Sequence, residues 1–145
     1  MKSDPRRHDP ANYPWSVSME TRFADMDVNR HLNNVAITRF FEETRIRFNW
    51  NLISKGPQPP AKRPHYLVAH VAVDFLGEGS YPPPVTMTYA VGNIGRTSFR
   101  CLMGMFQHGT CIALSDSVLV HRGPDGPAPL PDDLRARLEA FPLAG

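Results

Sequence analysis

The chain has 145 residues, 41% of them hydrophobic and 21% charged, so we expect one globular domain around a single core. Sixteen basic and fourteen acidic residues leave a formal charge of +2, too balanced for a protein that binds nucleic acid mainly through its charge. Two cysteines, Cys101 and Cys111, are too few for a disulfide scaffold or a four-thiolate zinc site and fit a reducing compartment. No segment approaches the roughly 18 apolar residues of a membrane-spanning helix, and no apolar run follows the basic N-terminus. We therefore expect a soluble, cytoplasmic protein without a metal, a nucleic-acid partner or a membrane contact.

Fifteen prolines divide the chain into readable segments. They fall in residues 5–14, 57–64, 82–84 and 124–131 and at Pro142, and such groups mark loops and the ends of elements because proline lacks an N–H donor. We expect the proline-rich segments 1–14 and 123–131 to flank the core of one domain that spans residues 1–145.

The first two predicted elements are a strand and a long helix. Residues 15–24 alternate strictly, which predicts a half-buried strand with one face formed by Trp15, Val17, Met19, Thr21 and Phe23. From Val35 the apolar spacing changes to that of a helix, which is predicted to run to about Leu52. The segment between them, 25–34, is rich in Asp and Asn and is predicted to be a loop that caps the helix.

Four further strands and a short helix follow. Alternating residues predict strands over 66–76, 85–93, 97–107 and 111–122, with Leu67, Ala69, Val71, Val73 and Phe75 sharing one face of the first of them. Short Asn/Gly turns join the last three strands, which should therefore form an antiparallel meander. Residues 131–141 read as a terminal helix. One long helix with one five-stranded antiparallel sheet predicts an α+β fold in which the sheet packs around the helix.

The loop 25–34 concentrates the reactive groups of the chain. It holds two carboxylates, an imidazole and three amides, and it leads into a helix N-terminus, whose first N–H groups have no partner within the helix. Such N–H groups can hold a developing oxyanion, and a nearby carboxylate can attack a carbonyl or activate water. The plain alternative is that these residues only cap the helix. A calcium loop is excluded, because Arg30 and Ala36 stand where that motif has Gly and Glu.

The segment Phe23-Ala-Asp-Met-Asp-Val-Asn-Arg-His-Leu-Asn-Asn-Val-Ala-Ile-Thr-Arg-Phe-Phe-Glu-Glu-Thr-Arg45 resembles the signature of the hotdog-fold acyl-CoA thioesterases. The likeness is greatest to their 4-hydroxybenzoyl-CoA thioesterase-like branch and covers roughly residues 16–122. The resemblance implies the hotdog fold, an acyl-CoA substrate and no metal or prosthetic group. It also implies a homo-oligomer, either a dimer with a continuous sheet or a dimer of such dimers, with the site at the dimer interface.

The same resemblance implies roles for individual residues. Asp27 matches the catalytic carboxylate, acting as nucleophile or as base for water, and the backbone N–H of Asn34 matches the group that polarises the thioester carbonyl. His31 and Asn33 fall on motif positions that shape the loop, and Asp25 matches a structural acid. The chain departs from many relatives at two positions: Arg30 stands where they have Gly, and Ile37 stands where they have Tyr. A related branch uses a helix glutamate instead, for which Glu42 or Glu43 is the alternative.

Coenzyme A must be held through its phosphates and its pantetheine arm. Arg96 is a candidate because arginine binds phosphate in a bidentate manner, and Thr97 and Ser98 follow it in the same turn. Further candidates are Arg63, Arg100 and Arg122. The alternative for each arginine is a solvated charge at a strand end.

Three functions are compatible with these observations. The first is an acyl-CoA thioesterase that releases free acid and CoA. The second is a non-catalytic acyl-CoA-binding protein, since a fold alone does not establish activity. The third is an enoyl-thioester hydratase, although the spacing from Asp27 to His31 is one residue shorter than the Asp-x-Asn-x-x-His pattern of that chemistry.

Overall fold

The computed structural model describes residues 1–54 and 64–145. Its strands and α-helices are, in chain order, β1 (Trp15–Met19), α1 (Asn34–Ser54), β2 (His65–Phe75), β3 (Val85–Ile94), β4 (Ser98–Gln107), β5 (Thr110–Gly123), β6 (Gly126–Pro127) and α2 (Asp132–Glu139). Short 3₁₀ turns occupy Pro5–His8, Pro10–Asn12 and Phe23–Asp25.

The sheet is antiparallel, with the strand order β1-β3-β4-β5-β2. The predicted meander of the last three long strands is confirmed as β3-β4-β5, and β6 adds two residues alongside β5. Two strands form the edges: β1 has five residues, whereas β2 has eleven. Because sequence neighbours β1 and β2 lie at opposite edges, α1 crosses the whole sheet between them.

The core lies between α1 and one face of the curled sheet. Ile37, Phe41 and Phe48 of α1 pack against Met87 and Tyr89 of β3 and their neighbours on β4. The rings of Phe48 and Tyr89 stack with centroids 3.7 Å apart, and both residues are fully buried. A long helix held in a curled antiparallel sheet, with a short C-terminal helix, confirms the predicted α+β hotdog fold.

The first strand is shorter than predicted. It ends at Met19, and the chain then enters a 3₁₀ turn at Phe23–Asp25 because the Asp25 carboxylate accepts a hydrogen bond from the backbone N–H of Arg22 (2.9 Å). Thr21 is buried as predicted, but Phe23 is 75% exposed and packs edge-on against the Tyr81 ring. The alternation was therefore misleading beyond Met19.

The predicted face of β2 was also partly wrong. A register irregularity between Val68 and His70 inserts one residue into the strand, so residues before and after it exchange faces. Val71, Val73 and Phe75 lie on the side of the sheet that carries α1, whereas Leu67 lies on the opposite side. Single-residue periodicity cannot reveal such an insertion.

The two flanks fasten the ends of the chain to the sheet. Arg7 of the N-terminal segment lies on the sheet face opposite α1 and is 3% exposed. On the other side, Leu134 and Leu138 of α2 join the core, and the Arg137 Nη1 donates to the carbonyls of Leu52 and Ile53 (3.0 Å each) at the end of α1. These last carbonyls have no partner inside the helix, so Arg137 supplies the missing donor.

Candidate active site

The loop between β1 and α1 is a compact hairpin. The Asp27 N–H donates to the His31 carbonyl (2.9 Å), and the Asn33 N–H donates to the Asp25 carbonyl (2.9 Å). The buried Asp25 carboxylate accepts from both the backbone and the guanidinium of Arg22. Asp25 therefore holds the loop together, and the hairpin brings Asp27 back beside the residues that open the helix.

The helix begins as predicted, with Asn33 as its cap. Asn33 Oδ1 accepts from the N–H of Ala36 (2.7 Å), and the first helical hydrogen bond runs from the Ile37 N–H to the Asn33 carbonyl (3.0 Å). Within the described residues, the N–H of Asn34 donates to no acceptor, and Asn34 is exposed. The positive end of the α1 dipole thus points an unused donor toward solvent.

Asp27 has one engaged and one unengaged carboxylate oxygen. Its Oδ1 accepts from the N–H groups of Asn29 (2.9 Å) and His31 (3.4 Å), which fixes the side-chain rotamer. Its Oδ2 has no hydrogen bond to any residue that the structure describes. Asp27 lines a cavity of about 390 Å³ together with Phe23, Met26 and Arg30. The carboxylate is therefore oriented and open to a ligand, which suits a base or a nucleophile.

A second loop supports this hairpin, and the sequence alone did not indicate it. The Leu32 N–H donates to the Gly79 carbonyl (2.9 Å), and a Cβ at Gly79 would lie 2.7 Å from Leu32 Cδ1 and 2.9 Å from Ile112 Cδ1. Next to it, the Glu78 carboxylate lies 3.1 Å from His31 Nε2. The only sequence signal was the Gly77-Glu-Gly79 pair, which also occurs in ordinary loops.

Arg30 occupies a strained position in the hairpin turn. Its φ is +61°, in the left-handed region that favours glycine. Glycine adopts such a φ without strain, which agrees with the Gly that the family resemblance implies at this position. In this chain, the substitution places an arginine side chain on the rim of the Asp27 cavity.

The structure does not bring Arg96, Thr97 and Ser98 to Asp27 within one chain. They form the β3–β4 turn, where the Gly95 N–H donates to the Ser98 carbonyl (2.7 Å). Asp27 lies at the other end of β3, because the loop follows Met19, which pairs with Val85. Ten residues of strand correspond to about 30 Å.

The alternative candidates are distributed as follows. Arg100 lies 3.7 Å from the Asp116 carboxylate, and Glu43 pairs with Arg47 (2.9 Å), which favours ion-pair roles for both. Arg122 lines a larger cavity, described next. Arg63 lies outside the described residues.

The larger cavity lies at the C-terminal end of α1. Its volume is about 720 Å³, and it is lined mainly by apolar surface from α1, α2, β2 and β5, including Ile53, Tyr66, His121, Arg122 and Leu134. It is thus separated from Asp27 of the same chain by the length of α1, about 30 Å.

Neither cysteine suits nucleophilic work. Burial raises the pKa of both the Cys101 and the Cys111 thiol to about 11. Since the thiolate is the reactive form, both side chains stay protonated near neutral pH and serve packing.

The described residues contain neither a metal-binding cluster nor a membrane-spanning helix. Among them, no three His, Cys, Asp or Glu side chains are grouped closely enough to hold a metal ion. No helix within residues 1–54 or 64–145 has the length and apolarity needed to cross a bilayer.

Comparison with known proteins identifies the class. Residues 21–138 match the model of the Thioesterase-like superfamily. A predicted thioesterase from Bacillus stearothermophilus is 26% identical, with a TM-score of 0.78 over 90% of this chain and 98% of that one. A thioesterase from Thermus thermophilus, solved with coenzyme A and Zn, is 29% identical, with a TM-score of 0.77 over 89% and 94% of the two chains. A thioesterase-superfamily protein from Jannaschia sp. CCS1 is 25% identical, with a TM-score of 0.75 over 89% and 83%. A search of curated proteins found no match.

The chain belongs to the Thioesterase-like superfamily, and the match covers the hairpin, α1 and every long strand from β2 to β5. The protein is therefore a thioester hydrolase. This confirms the family and the reaction class that the sequence resemblance implied.

Proposed function

We propose that the protein is an acyl-CoA thioesterase whose catalytic carboxylate is Asp27 and whose oxyanion donor is the N–H of Asn34. One observation carries the proposal: an oriented carboxylate with a free Oδ2 lines a cavity in the hairpin that leads into a helix start with an unused N–H donor. Coenzyme A as the carrier is supported by the Thermus thermophilus relative, which was solved with that molecule.

The first step is polarisation of the thioester. The carbonyl oxygen accepts a hydrogen bond from the Asn34 N–H, and the helix dipole stabilises the negative charge that develops on it. Asn33 holds this N–H in place, because its side chain caps the same turn. Asn33 thus has a positioning role. His31 has one as well, because its backbone carbonyl accepts from the Asp27 N–H and its backbone N–H donates to the Asp27 side chain.

The second step is attack on the carbonyl carbon. In the general-base form, Asp27 Oδ2 takes a proton from water, the water oxygen bonds to the carbonyl carbon, and the carbon–sulfur bond breaks. The departing thiolate then takes the proton from Asp27, leaving free acid and CoA. In the nucleophilic form, Oδ2 itself bonds to the carbon, the carbon–sulfur bond breaks and the CoA thiolate leaves. Water then hydrolyses the resulting anhydride, which releases the acid, regenerates the Asp27 carboxylate and supplies the proton for the thiolate.

We infer that the active unit contains two chains joined along β2. This edge strand has eleven residues and no proline, and its exposed side chains include Leu67, Val68, Val71 and Phe75. An unpaired apolar edge of that length is a template for pairing with another chain. Antiparallel pairing would place the His65 end of one β2 beside the Phe75 end of the other.

That pairing would also complete the site. The Phe75 end leads into the Gly79 loop, which supports the Asp27 hairpin, whereas the His65 end carries the larger cavity and lies near the 95–98 turn. The partner's cavity and its copies of Arg96, Thr97 and Ser98 would then face Asp27. This arrangement accounts for candidate CoA contacts that are far apart within one chain.

The test is thiol release from a panel of acyl-CoAs by the wild type, by Asp27→Asn and by the control Asp125→Asn, which changes an exposed turn. We expect Asp27→Asn to lower kcat about a hundred- to ten-thousand-fold and the control to match the wild type. Binding of acyl-CoA without thiol release by the wild type would instead identify a non-catalytic binder. Conversion of crotonyl-CoA without thiol release would identify a hydratase.

The dimer is tested separately by sedimentation. Val71→Arg puts a charge on a half-exposed position of β2, on the side of the sheet that carries α1, and should yield monomers with little activity. The control Ser16→Arg changes the short edge strand β1 and should leave both properties unchanged. A dimeric Val71→Arg variant with full activity would exclude β2 as the interface.

A further inference from the structure

Gln107, the last residue of β4, binds the loop that supports the Asp27 hairpin. Gln107 is 6% exposed. Its Nε2 donates to the carbonyls of Ser80 (2.8 Å) and Pro83 (2.9 Å), and its Oε1 accepts from the N–H (2.8 Å) and the Oγ (3.4 Å) of Ser80. A glutamine side chain has two N–H donors and two acceptor positions, so all four are used on this loop. We call residues 79–83 the support loop.

The sequence around the support loop explains why it needs hydrogen bonds from other segments. Three consecutive prolines occupy residues 82–84, and proline has no N–H, so this stretch cannot donate the backbone hydrogen bonds of an ordinary turn. The carbonyls of the half-buried residues Ser80 and Pro83 therefore require donors from elsewhere in the chain. Gln107 supplies two donors, and the Thr21 hydroxyl supplies a third, to Pro83 (3.0 Å).

The support loop contacts the chain on both sides of Asp27. Before the hairpin, the Tyr81 ring packs edge-on against Phe23, which lines the Asp27 cavity (centroids 6.1 Å apart). After the hairpin, the Gly79 carbonyl accepts from the Leu32 N–H (2.9 Å), and the two backbones are so close that a Cβ on Gly79 would lie 2.7 Å from Leu32 Cδ1. Because Asp27 lies between the two contacts, the position of the loop fixes the position of the hairpin.

We propose that Gln107 is a positioning residue for thioester hydrolysis: it holds the support loop, and the loop holds the Asp27 carboxylate in its reactive position. The inference rests on the proposed thioesterase function. Gln107 is not among the described residues that line the Asp27 cavity, so it acts through the loop and not by contact with the substrate. Since a displacement of about 1 Å can lower a rate about a hundredfold, a loosened loop should lower kcat and leave the affinity for the substrate nearly unchanged.

The first test is Gln107→Met, which keeps the length of the side chain and removes its four hydrogen bonds. We expect kcat for the best substrate of the acyl-CoA panel to fall about 10- to 100-fold. The Kd of a non-hydrolysable thioether analogue of that substrate, measured by calorimetry, should stay within about twofold of the wild type. Thr21→Val, which removes only the hydroxyl donor to the Pro83 carbonyl, should lower kcat in the same direction by a smaller factor.

The matched control is Thr88→Val. Thr88 is fully buried in β3, and its hydroxyl donates to the Gly104 carbonyl (3.3 Å), outside the support loop. This variant therefore also removes a buried hydrogen bond, but not one that holds the loop. At a temperature where all variants are folded, its kcat should equal that of the wild type, whatever its loss of stability.

A second readout does not depend on hydrolysis. The Asp27 N–H donates to the His31 carbonyl and the Leu32 N–H donates to the Gly79 carbonyl (2.9 Å each), so hydrogen exchange at these two amides reports how often the hairpin opens. In Gln107→Met, both amides should exchange at least about tenfold faster than in the wild type. Thr88→Val should leave both rates unchanged, since it removes no contact of the hairpin.

The outcomes separate this inference from the proposed function. If the wild type releases thiol and Gln107→Met lowers kcat no more than Thr88→Val, the positioning role is overturned. Unchanged exchange at Asp27 and Leu32 in Gln107→Met would overturn it as well. A wild type that releases no thiol from any acyl-CoA would overturn the proposed function, whereas faster exchange in Gln107→Met would still support the link from Gln107 to the hairpin.

Discussion

Two buried arginines of this protein have opposite surroundings. Arg7 is 3% exposed and donates to four acceptors: the Tyr13 hydroxyl, the Asp116 carboxylate (2.7 Å), and the carbonyls of Met103 and Ser115. Arg45 is 9% exposed and has no such acceptor within the described parts of the chain. Both lie against the middle of the same sheet, on opposite faces.

The difference separates a buried charge that is held by protein hydrogen bonds from a charge whose polar end still reaches solvent. A buried charge that is fully hydrogen-bonded can hold a segment in place, as Arg7 holds the N-terminal segment on β4 and β5. The Arg45 nitrogens are not among the buried unpartnered atoms of the described residues, so the remaining exposure of this side chain hydrates its guanidinium while the stem is buried. Four experiments test this distinction and the site beside it, from the largest expected effect to the smallest.

Arg7→Met should destabilise the protein by about 3–5 kcal/mol, because it leaves the Asp116 carboxylate without its principal counter-charge. The measurement is urea unfolding. The control Arg6→Met removes an exposed pair with Asp4 and should leave the midpoint unchanged. If both variants unfold alike, Arg7 is not the anchor of the N-terminal segment.

Asn33→Ala should cost about 1 kcal/mol through loss of the helix cap. Because the cap also positions the Asn34 N–H, kcat should fall more than this stability change alone would explain at a temperature where the variant is folded. Thr38→Ala, which alters an exposed hydroxyl one turn into α1, is the control. An unchanged kcat in Asn33→Ala would show that the helix cap does not contribute to catalysis.

Arg30→Gly should raise stability by up to about 1 kcal/mol, since glycine relieves the left-handed backbone. A melting temperature at or above the wild type is the expected result. His108→Gly, at a second non-glycine residue with positive φ (+53°), should behave similarly. A clear loss of stability in Arg30→Gly would show that its side chain holds the hairpin.

Arg45→Met should have the smallest effect on stability, with a melting temperature equal to or above that of the wild type, because no ion pair within the described chain is lost. This contrasts directly with Arg7→Met. A drop comparable to that of Arg7→Met would mean that Arg45 has a structural partner, and the distinction between the two arginines would fail.

The periodicity of apolar residues predicted the helices and strands correctly, because each long strand buries one face and α1 buries one stripe of side chains. It failed where one residue changes the phase, at the β2 irregularity near His70, and where a carboxylate ends a strand early, at Asp25. The motif pointed to Asp27 and Asn34, but the support from Gly79 depends on a contact between distant segments. The buried hydroxyl of Ser115, which has no hydrogen-bond partner among the described residues, was invisible for the same reason.

The central claim is that Asp27 supplies the chemistry of thioester hydrolysis rather than binding energy. The most direct measurement compares turnover and affinity for one acyl-CoA in the wild type and in Asp27→Asn. We predict a fall in kcat of at least about a hundredfold with a Kd that changes little, because Asn preserves the hydrogen bonds of Oδ1 but cannot accept a proton. A variant that keeps kcat within twofold of the wild type would contradict the account.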